Sequence, residues 1–318
     1  MKIRGGRYTL MAVLAGALLT LAACGGSGDA GGSVGSGGSG GSGGASASWS
    51  TVASGTTATL AAVWGDQPGD VWAVGVNGTI LHWNGTAWSP PVSSGTTNAL
   101  FAVWGSASDS VWAVGDFGTT LHWNGTAWLP FSSGTTNTLL GVWGSGGSDV
   151  WAVGNNGTLL HWNGSAWSPA SSGTTAFLKG IWGSRTDDVW IGGDGGTLLH
   201  WNGTTWSSVS GGTTTTVLRG MWGSSEIDVW AVSSSGSPAL HWNGTAWSPS
   251  SATGLSSVWG TGPSDVWAVG ANGTIQHWNG TAWSSSSSGA TANLTSVWGV
   301  GASDIWAVGA NGTILRYH

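Results

Sequence analysis

Histidines recur at one position of a repeated sequence, and they are the first residues that could do chemistry: His82, His122, His161, His200, His241 and His277. A seventh copy of the repeat has Arg316 at this position. Imidazoles bind a metal only when several of them converge within about 2 Å of one ion. Equivalent positions of successive repeats lie in different structural units, so we expect no metal site and no cofactor.

We predict instead that each histidine forms a hydrogen bond inside its own repeat. The expected partner is the aspartate that opens the second strand of the repeat: Asp70, Asp149, Asp188, Asp228, Asp265 or Asp304. The second copy departs from this pattern, because Ser110 stands at that position and Asp109 comes one residue early. A pair that recurs in most units is typical of a scaffold, so these pairs are not interpreted as catalytic dyads.

One other position, three residues before the first tryptophan of each repeat, varies in chemical type. Along the chain it reads Ala61, Phe101, Leu140, Lys179, Arg219, Ser256 and Thr295. We expect these side chains to point toward a central channel or its mouth. Two cations in neighbouring units could bind a carboxylate or phosphate, or they could be ordinary variation at a solvent-facing position. Turns that otherwise carry Asn-Gly are irregular at Asp116-Phe117 and Asp194. The candidate ligand-binding residues are therefore Lys179, Arg219, Phe101, Asp116 and Asp194.

The elements that must position these residues follow from the spacing of tryptophan. The leading tryptophans are 37 to 40 residues apart: Trp64, Trp104, Trp143, Trp182, Trp222, Trp259 and Trp298. Each copy holds four short β-prone runs separated by turn residues, such as Asn77-Gly78 and Asn84-Gly85 in the first. A period of about 40 residues with four strands per unit is typical of propellers. The sequence predicts an all-β fold, a single seven-bladed β-propeller with four antiparallel strands per blade.

The two ends of the repeat array predict how the ring closes. The seventh copy stops at Tyr317-His318 without its last strand, and an isolated fourth-strand segment around Trp49 precedes the first copy. We expect the strand around Trp49 to pair with the last blade. The tryptophans could stack on sugar rings, but their recurrence in every copy favours packing between blades, with each indole N–H meeting an acceptor.

Several motifs resemble known propeller families. The unit W-N-G-T-A-W resembles the Asp-box hairpin of sialidase-type propellers, although Asn84 and its equivalents replace the aspartate. The whole repeat is similar to the tectonin repeat of propeller lectins, and the His–Asp–Trp pattern is similar to the network inside WD-type blades. Lipoproteins of myxobacteria carry a repeat that looks like V-W-G…D-V-W-A-V-G…H-W-N-G. These resemblances imply a fold and a location rather than an activity.

Sialidase chemistry can be tested against the residues present. It would require an arginine triad, a tyrosine–glutamate pair and an aspartic acid. After residue 23 the chain has one tyrosine, Tyr317, one glutamate, Glu226, and three arginines, and Tyr317 stands where other repeats have tryptophan. We therefore expect no catalytic residues. A sialidase-like or other glycan-active enzyme, or a purely structural scaffold, is the alternative to a non-catalytic binding protein.

The amino-terminal segment indicates export. Three cations precede an apolar run that ends at Leu21-Ala22-Ala23-Cys24 and resembles the lipobox of bacterial lipoproteins. The resemblance implies cleavage before Cys24 and a lipid on it; the alternative is an ordinary signal peptide. We predict a signal peptide at 1–23, a lipidated cysteine and flexible Gly/Ser linker at 24–44, and the propeller at 45–318. Gly25 after the cysteine points to the outer membrane, on either face.

Charge restricts the partners. After cleavage, four cations would remain against thirteen acids, a net charge of −9. Nucleic acid is not expected as a partner, because its binding needs clustered Lys and Arg. The sequence predicts a monomer held at the cell envelope by its lipid, with a glycan or an envelope protein as ligand.

Overall fold

The computed structural model describes residues 47–211 and 216–318, and they form seven antiparallel β-sheets. Residues 46–318 make up one compact unit. Blades 1 to 7 are numbered in the order of their inner strands along the chain. The predicted signal peptide, Cys24 and the Gly/Ser linker lie outside the described residues. Within the described part, no helix is long and apolar enough to cross a bilayer.

Each blade begins with two long strands, the first of which lines the central channel. The inner strands are Leu60–Gln67, Leu100–Ala107, Leu139–Gly146, Leu178–Arg185, Leu218–Ser225, Leu255–Gly262 and Leu294–Gly301. The second strands are Asp70–Gly75, Ser110–Gly115, Asp149–Gly154, Asp188–Gly193, Asp228–Ser233, Asp265–Gly270 and Asp304–Gly309. The second strands are the most buried, because other strands flank them on both edges and other blades cover both faces.

A third and an outer strand, both short in most blades, complete the blade. The third strands are Ile80–Trp83, Thr120–Trp123, Leu159–Trp162, Leu198–Trp201, Pro238–Trp242, Ile275–Trp278 and Ile314–Tyr317. The outer strands of blades 2 to 6 are Trp128–Phe131, Trp167–Pro169, Trp206–Ser208, Trp247–Thr253 and Trp283–Ser285. Short 3-10 turns join the second and third strands in six blades: Val76–Gly78, Asp116–Gly118, Asn155–Gly157, Asp194–Gly196, Ala271–Gly273 and Ala310–Gly312.

The ring closes as the sequence predicts. Strand Trp49–Thr51 pairs antiparallel with Ile314–Tyr317, so that Trp49 lies opposite Tyr317 and becomes the outer strand of blade 7. Past the strand, Val52 N donates to Ile314 O at 2.9 Å. Each inner strand packs against the inner strands of both neighbouring blades, and that of blade 7 packs against that of blade 1.

Blade 1 departs from four full strands at its outer edge. Its fourth segment is reduced to a single bridge between Trp83 and Trp88. Pro90 and Pro91 follow, and proline lacks the N–H that a continuous ladder needs. The segment still lies along the third strand, because Ser89 N and Val92 N donate to carbonyl groups of that strand at 2.8 Å each.

Tryptophan fills the space between blades. Trp112 of blade 2 is 1% exposed, and its ring lies 4.8 Å from that of Trp162 and 5.1 Å from that of Trp167 in blade 3. Near the channel, the leading tryptophans of blades 1 to 6 each lie over a glycine of the next blade; a Cβ atom on Gly105 would be 2.5 Å from the ring of Trp64. This contact explains the repeated Trp-Gly pair.

The 27 tryptophans all fall within the described residues, and none is exposed. One expectation about them is wrong, because many indole N–H groups have no protein acceptor; Trp72, Trp88 and Trp190 are examples. These rings pack against other aromatic rings: Trp88, for instance, meets Trp306 edge-to-face at 5.3 Å. An aromatic face accepts an N–H only weakly.

Candidate binding site at the channel mouth

The histidines lie inside the blades and form the predicted pairs. His82 Nε2 lies 2.5 Å from Asp70 Oδ1, and the same pair recurs at 2.6–2.7 Å in blades 3 to 6. In blade 7, Arg316 Nε replaces the imidazole, 2.7 Å from Asp304 Oδ1. The ring of His82 stacks on Trp72 with centroids 4.2 Å apart. No cluster of three or more metal-ligating residues occurs within residues 47–211 and 216–318.

Hydrogen bonds within two of these pairs lower the pKa of the aspartate. Burial acts to raise the pKa of Asp188, but hydrogen bonds from His200 and Ser184 outweigh it and hold the pKa below its usual range. Asp228 shows the same lowered pKa, with His241 and Ser224 as its donors.

Blade 2 is the exception. There Ser110 Oγ lies 3.1 Å from His122 Nε2, and burial lowers the pKa of His122, with the nearby charge of Asp109 acting weakly in the opposite direction. These groups lie within the blades and line neither the channel nor its mouth.

The variable position of the inner strands, by contrast, surrounds one cavity. The cavity has a volume of about 430 Å³ and is lined by all seven of these residues together with Thr59 and Val76. Below it, the channel between the inner strands holds about 190 Å³. Thr59 and Val76 lie at the start of the inner strand and in the turn after the second strand, which places the mouth on the face that carries these turns.

The two cations stand side by side at this mouth because their strands are in close contact. A Cβ atom on Gly180 would lie 2.8 Å from Arg219 O, so glycine allows the inner strands of blades 4 and 5 to approach. Lys179 is largely covered, and its Nζ lies 3.2 Å from Asp194 Oδ1 and 5.7 Å from the ring centroid of Phe177. Asp194 Oδ1 is itself shielded from solvent.

Arg219 is exposed, and no acidic side chain among the described residues pairs with it. Lys179 and Asp194 neutralise each other, so the mouth keeps one excess positive charge, on the guanidinium of Arg219. A guanidinium offers a planar set of donors that matches a carboxylate. The mouth can therefore accept an anionic group at one point.

The other side of the mouth is apolar. Ala61, Phe101 and Leu140 come from blades 1 to 3 and are partly buried, whereas the cations come from blades 4 and 5. Thr295 of blade 7 directs its hydroxyl to Leu60 O at 2.7 Å, so it offers little hydrogen bonding to a ligand. The mouth thus has an apolar side and a cationic side.

The structure brings together four of the five candidate residues. Phe101, Lys179 and Arg219 line the cavity, and Asp194 lies behind Lys179. Asp116 is not part of this group, since its Oδ1 accepts a hydrogen bond from Thr138 Oγ1 at 2.9 Å across the blade boundary. The neighbouring Phe117 is 72% exposed, in a positive-φ conformation that asparagine or glycine supplies in the other 3-10 turns.

Sequence reasoning missed Phe177, Thr59 and Val76. Phe177 immediately precedes an inner strand, and it is the one aromatic residue at that position of the repeat, which was the available signal. Thr59 and Val76 carried no signal, because they reach the mouth through the path of the loops.

The connection before blade 6 is shorter than the others. Trp247 and Leu255 are eight residues apart, whereas equivalent pairs elsewhere are 11 or 12 apart.

Comparisons with known proteins place the fold. No protein-family model matches the chain, and no curated protein matches it significantly. Among solved structures, YCF48 bound to D1 peptide superimposes with a TM-score of 0.70 at 19% identity, over 85% of this chain and 96% of that one.

Two further structures agree with that one. YCF48 from Cyanidioschyzon merolae gives a TM-score of 0.69 at 17% identity, over 85% of this chain and 98% of that one. The WD40 propeller domain of Doa1 gives 0.71 at 13% identity, over 86% and 97%. At these identities the similarity establishes the fold, an all-β seven-bladed propeller, and nothing narrower.

Proposed function

We propose that this protein is a non-catalytic binding protein of the cell envelope, and that it holds a protein ligand at the channel mouth. The observation that carries the proposal is the cavity of about 430 Å³ with its apolar and cationic sides. Ligand sites are concave, mainly apolar and equipped with a few placed polar groups, and this cavity fits that description. The peptide in the YCF48 structure supports a polypeptide ligand on this architecture.

A glycan ligand is the weaker candidate. Sugar-binding sites commonly present aromatic faces to solvent, yet every tryptophan of this chain is at least partly buried between blades. The exposed aromatic residues are phenylalanines at separate places, such as Phe117 and Phe177. Retention on immobilised glycans with quenching of tryptophan fluorescence would favour the glycan candidate instead.

Most acidic residues of the blades and the mouth are paired with His, Arg or Lys, and this pairing supports a role without catalysis. The aspartates of the second strands accept hydrogen bonds from His or Arg, and Asp194 pairs with Lys179. Glu226, the one glutamate of the sequence, forms an ion pair with Arg185, which also contacts Asp187 at 2.5 Å. This group lies in the turns between inner and second strands, at the opposite end of the blades from the mouth.

Site-specific photo-crosslinking in the native host tests the proposal. A photoreactive phenylalanine analogue at Phe101 should capture an envelope protein, whereas the same analogue at Thr86, an exposed hairpin residue on the opposite face, should not. Equal capture at both positions, or none at Phe101, would contradict a protein ligand at the mouth.

Envelope anchoring has its own test. Substitution Cys24→Ala should move the full-length protein from the membrane fraction to the soluble fraction, because a lipid is then absent. Retention in the membrane fraction, with no loss of acyl labelling, would contradict lipidation at Cys24.

A further inference from the structure

The charge and shape of the mouth narrow the class of ligand, if the proposed function holds. Lys179 and Asp194 neutralise each other, and Arg219 has no acidic partner among the described residues. One net positive charge matches a monoanion better than a phosphate monoester, which carries about 1.5 to 2 negative charges at neutral pH. The planar guanidinium further favours the two oxygens of a carboxylate.

The ligand must also present an apolar group close to its anion. Phe101 and Leu140 lie on the inner strands of blades 2 and 3, on the same cavity as Arg219. A carboxylate that carried only polar neighbours would leave these side chains exposed to water. Burial of an apolar side chain is itself favourable, so it adds substantially to a single ion pair.

The size of the cavity limits how much chain can enter. At about 430 Å³ it lies toward the small end of ligand sites. The channel beneath it holds only about 190 Å³ between the inner strands. An internal segment would have to enter and return through the same opening, which needs room for two lengths of chain. A chain end needs room for one.

We infer that the mouth binds the carboxyl terminus of a polypeptide, with the α-carboxylate on Arg219 and an apolar last side chain against Phe101 and Leu140. The shared chemistry, a carboxylate beside an apolar group, also occurs in small carboxylic acids. A peptide differs from these because the residues before its terminus continue across the turns around the mouth, such as the turn that contains Val76.

Binding of synthetic peptides to the full-length protein in detergent tests the inference. The probes are fluorescent pentapeptide libraries with four random residues followed by leucine or serine, each made as the free acid and as the amide. We expect the leucine free acids to bind, and the amides and the serine acids to bind at least about tenfold more weakly. N-acetyl-leucine should compete far less well than the peptides, and inorganic phosphate should not compete.

Two arginine variants, one at the mouth and one on the opposite face, test the role of Arg219. Substitution Arg219→Ala should weaken binding at least about tenfold, whereas Arg185→Ala removes a cation on the opposite face and should leave affinity unchanged. Arg219 is exposed, so the variant should fold, and an unchanged circular dichroism spectrum and melting temperature would confirm this. Equal binding of acids and amides, no effect of Arg219→Ala, or no binding of any free-acid library at millimolar concentration would overturn the inference.

Failure here is distinguishable from failure of the proposed function. If Phe101 still captures an envelope protein while amides bind as well as acids, a protein ligand remains but its terminus is not recognised. If N-acetyl-leucine competes as well as the peptides, the ligand is a small acid and both proposals are overturned.

Discussion

The interior of the blades and the mouth of the channel are built from the same repeat, yet they differ in how much the repeat varies. Inside the blades, the second-strand tryptophan and the side chain that lies against it recur seven times with one change of residue type, from histidine to Arg316. At the mouth, the seven equivalent residues range from Ala61 to Arg219. Packing against two neighbouring blades restricts the first set, whereas open space leaves the second set free to carry specificity.

Removal of a blade tryptophan should break the scaffold. Trp190 is 2% exposed and packs against Trp242 and Trp247 of the next blade at 5.1 and 5.3 Å. Trp190→Ala should lower the free energy of unfolding by about 3–5 kcal/mol, because it opens a cavity between two blades. Denaturant unfolding measures this loss, and Trp190→Phe should recover most of it. A loss below about 1 kcal/mol would contradict the interblade role.

The hydrogen-bonded pairs should show a smaller, pH-dependent effect. Asp188→Asn should cost about 1–3 kcal/mol at neutral pH, because it weakens the bonds from His200 and Ser184. The pKa of Asp188 is lowered in the folded chain, so its stabilisation is fully present above the unfolded pKa of about 3.9 and is lost as the pH falls through the folded pKa.

The difference in melting temperature between wild type and Asp188→Asn should therefore shrink below about pH 4. Melting curves from pH 7 to pH 2.5 provide the measurement. A difference that stayed constant across this range would show that the charge of Asp188 does not stabilise the blade.

Blade 2 lacks the His–Asp pair, and a single substitution can restore it. Ser110→Asp restores the aspartate found in the other blades, beside His122. The pKa of His122, which burial now lowers, should rise, and the pH-dependent gain of stability should fade as the pH rises from the present lowered pKa through the new folded pKa. The gain should stay below about 1 kcal/mol, as for a partly exposed pair. Titration by NMR measures the pKa, and an unchanged value would contradict the assignment.

A substitution at the channel mouth should have the smallest effect on the free energy of unfolding. Arg219→Ala should change the free energy of unfolding by no more than about 0.5 kcal/mol, because Arg219 is exposed and makes no ion pair with the described residues. The same denaturant titration used for Trp190→Ala provides the scale. A loss of several kcal/mol would assign Arg219 to the scaffold and remove the contrast between the two regions.

The sequence predicted the scaffold well because each blade repeats the same physical requirements. The period of the tryptophans, the unfinished seventh copy and the segment around Trp49 sufficed for the number of blades and the closure. The His–Asp pairs followed from the same repetition. The unpaired indole groups did not, because the sequence cannot show whether an oxygen or an aromatic ring faces each N–H.

Details of the mouth depend on neighbours that a single repeat does not contain. Asp116 and Asp194 occupy the same turn position, yet only Asp194 pairs with a channel cation. Asp116 bonds to Thr138, the residue before the next inner strand, whereas Val217 at the matching place beside Asp194 has no side-chain donor. Asp194 is thereby available to Lys179. The contrast lies in the residue across the blade boundary.

The strand that closes the ring also sets an order of assembly. Trp49 is among the first residues of the body to leave the ribosome, and its partner Tyr317 is among the last. Every other outer strand is made directly after the strand with which it pairs, so blades 2 to 6 can form as the chain emerges. The early strand is made before its partner, and among the described residues a following segment covers the third strand in blades 1 to 6, although blade 1 contributes only a single bridge. We therefore expect the outer edge of blade 7 to be the position left for the early strand.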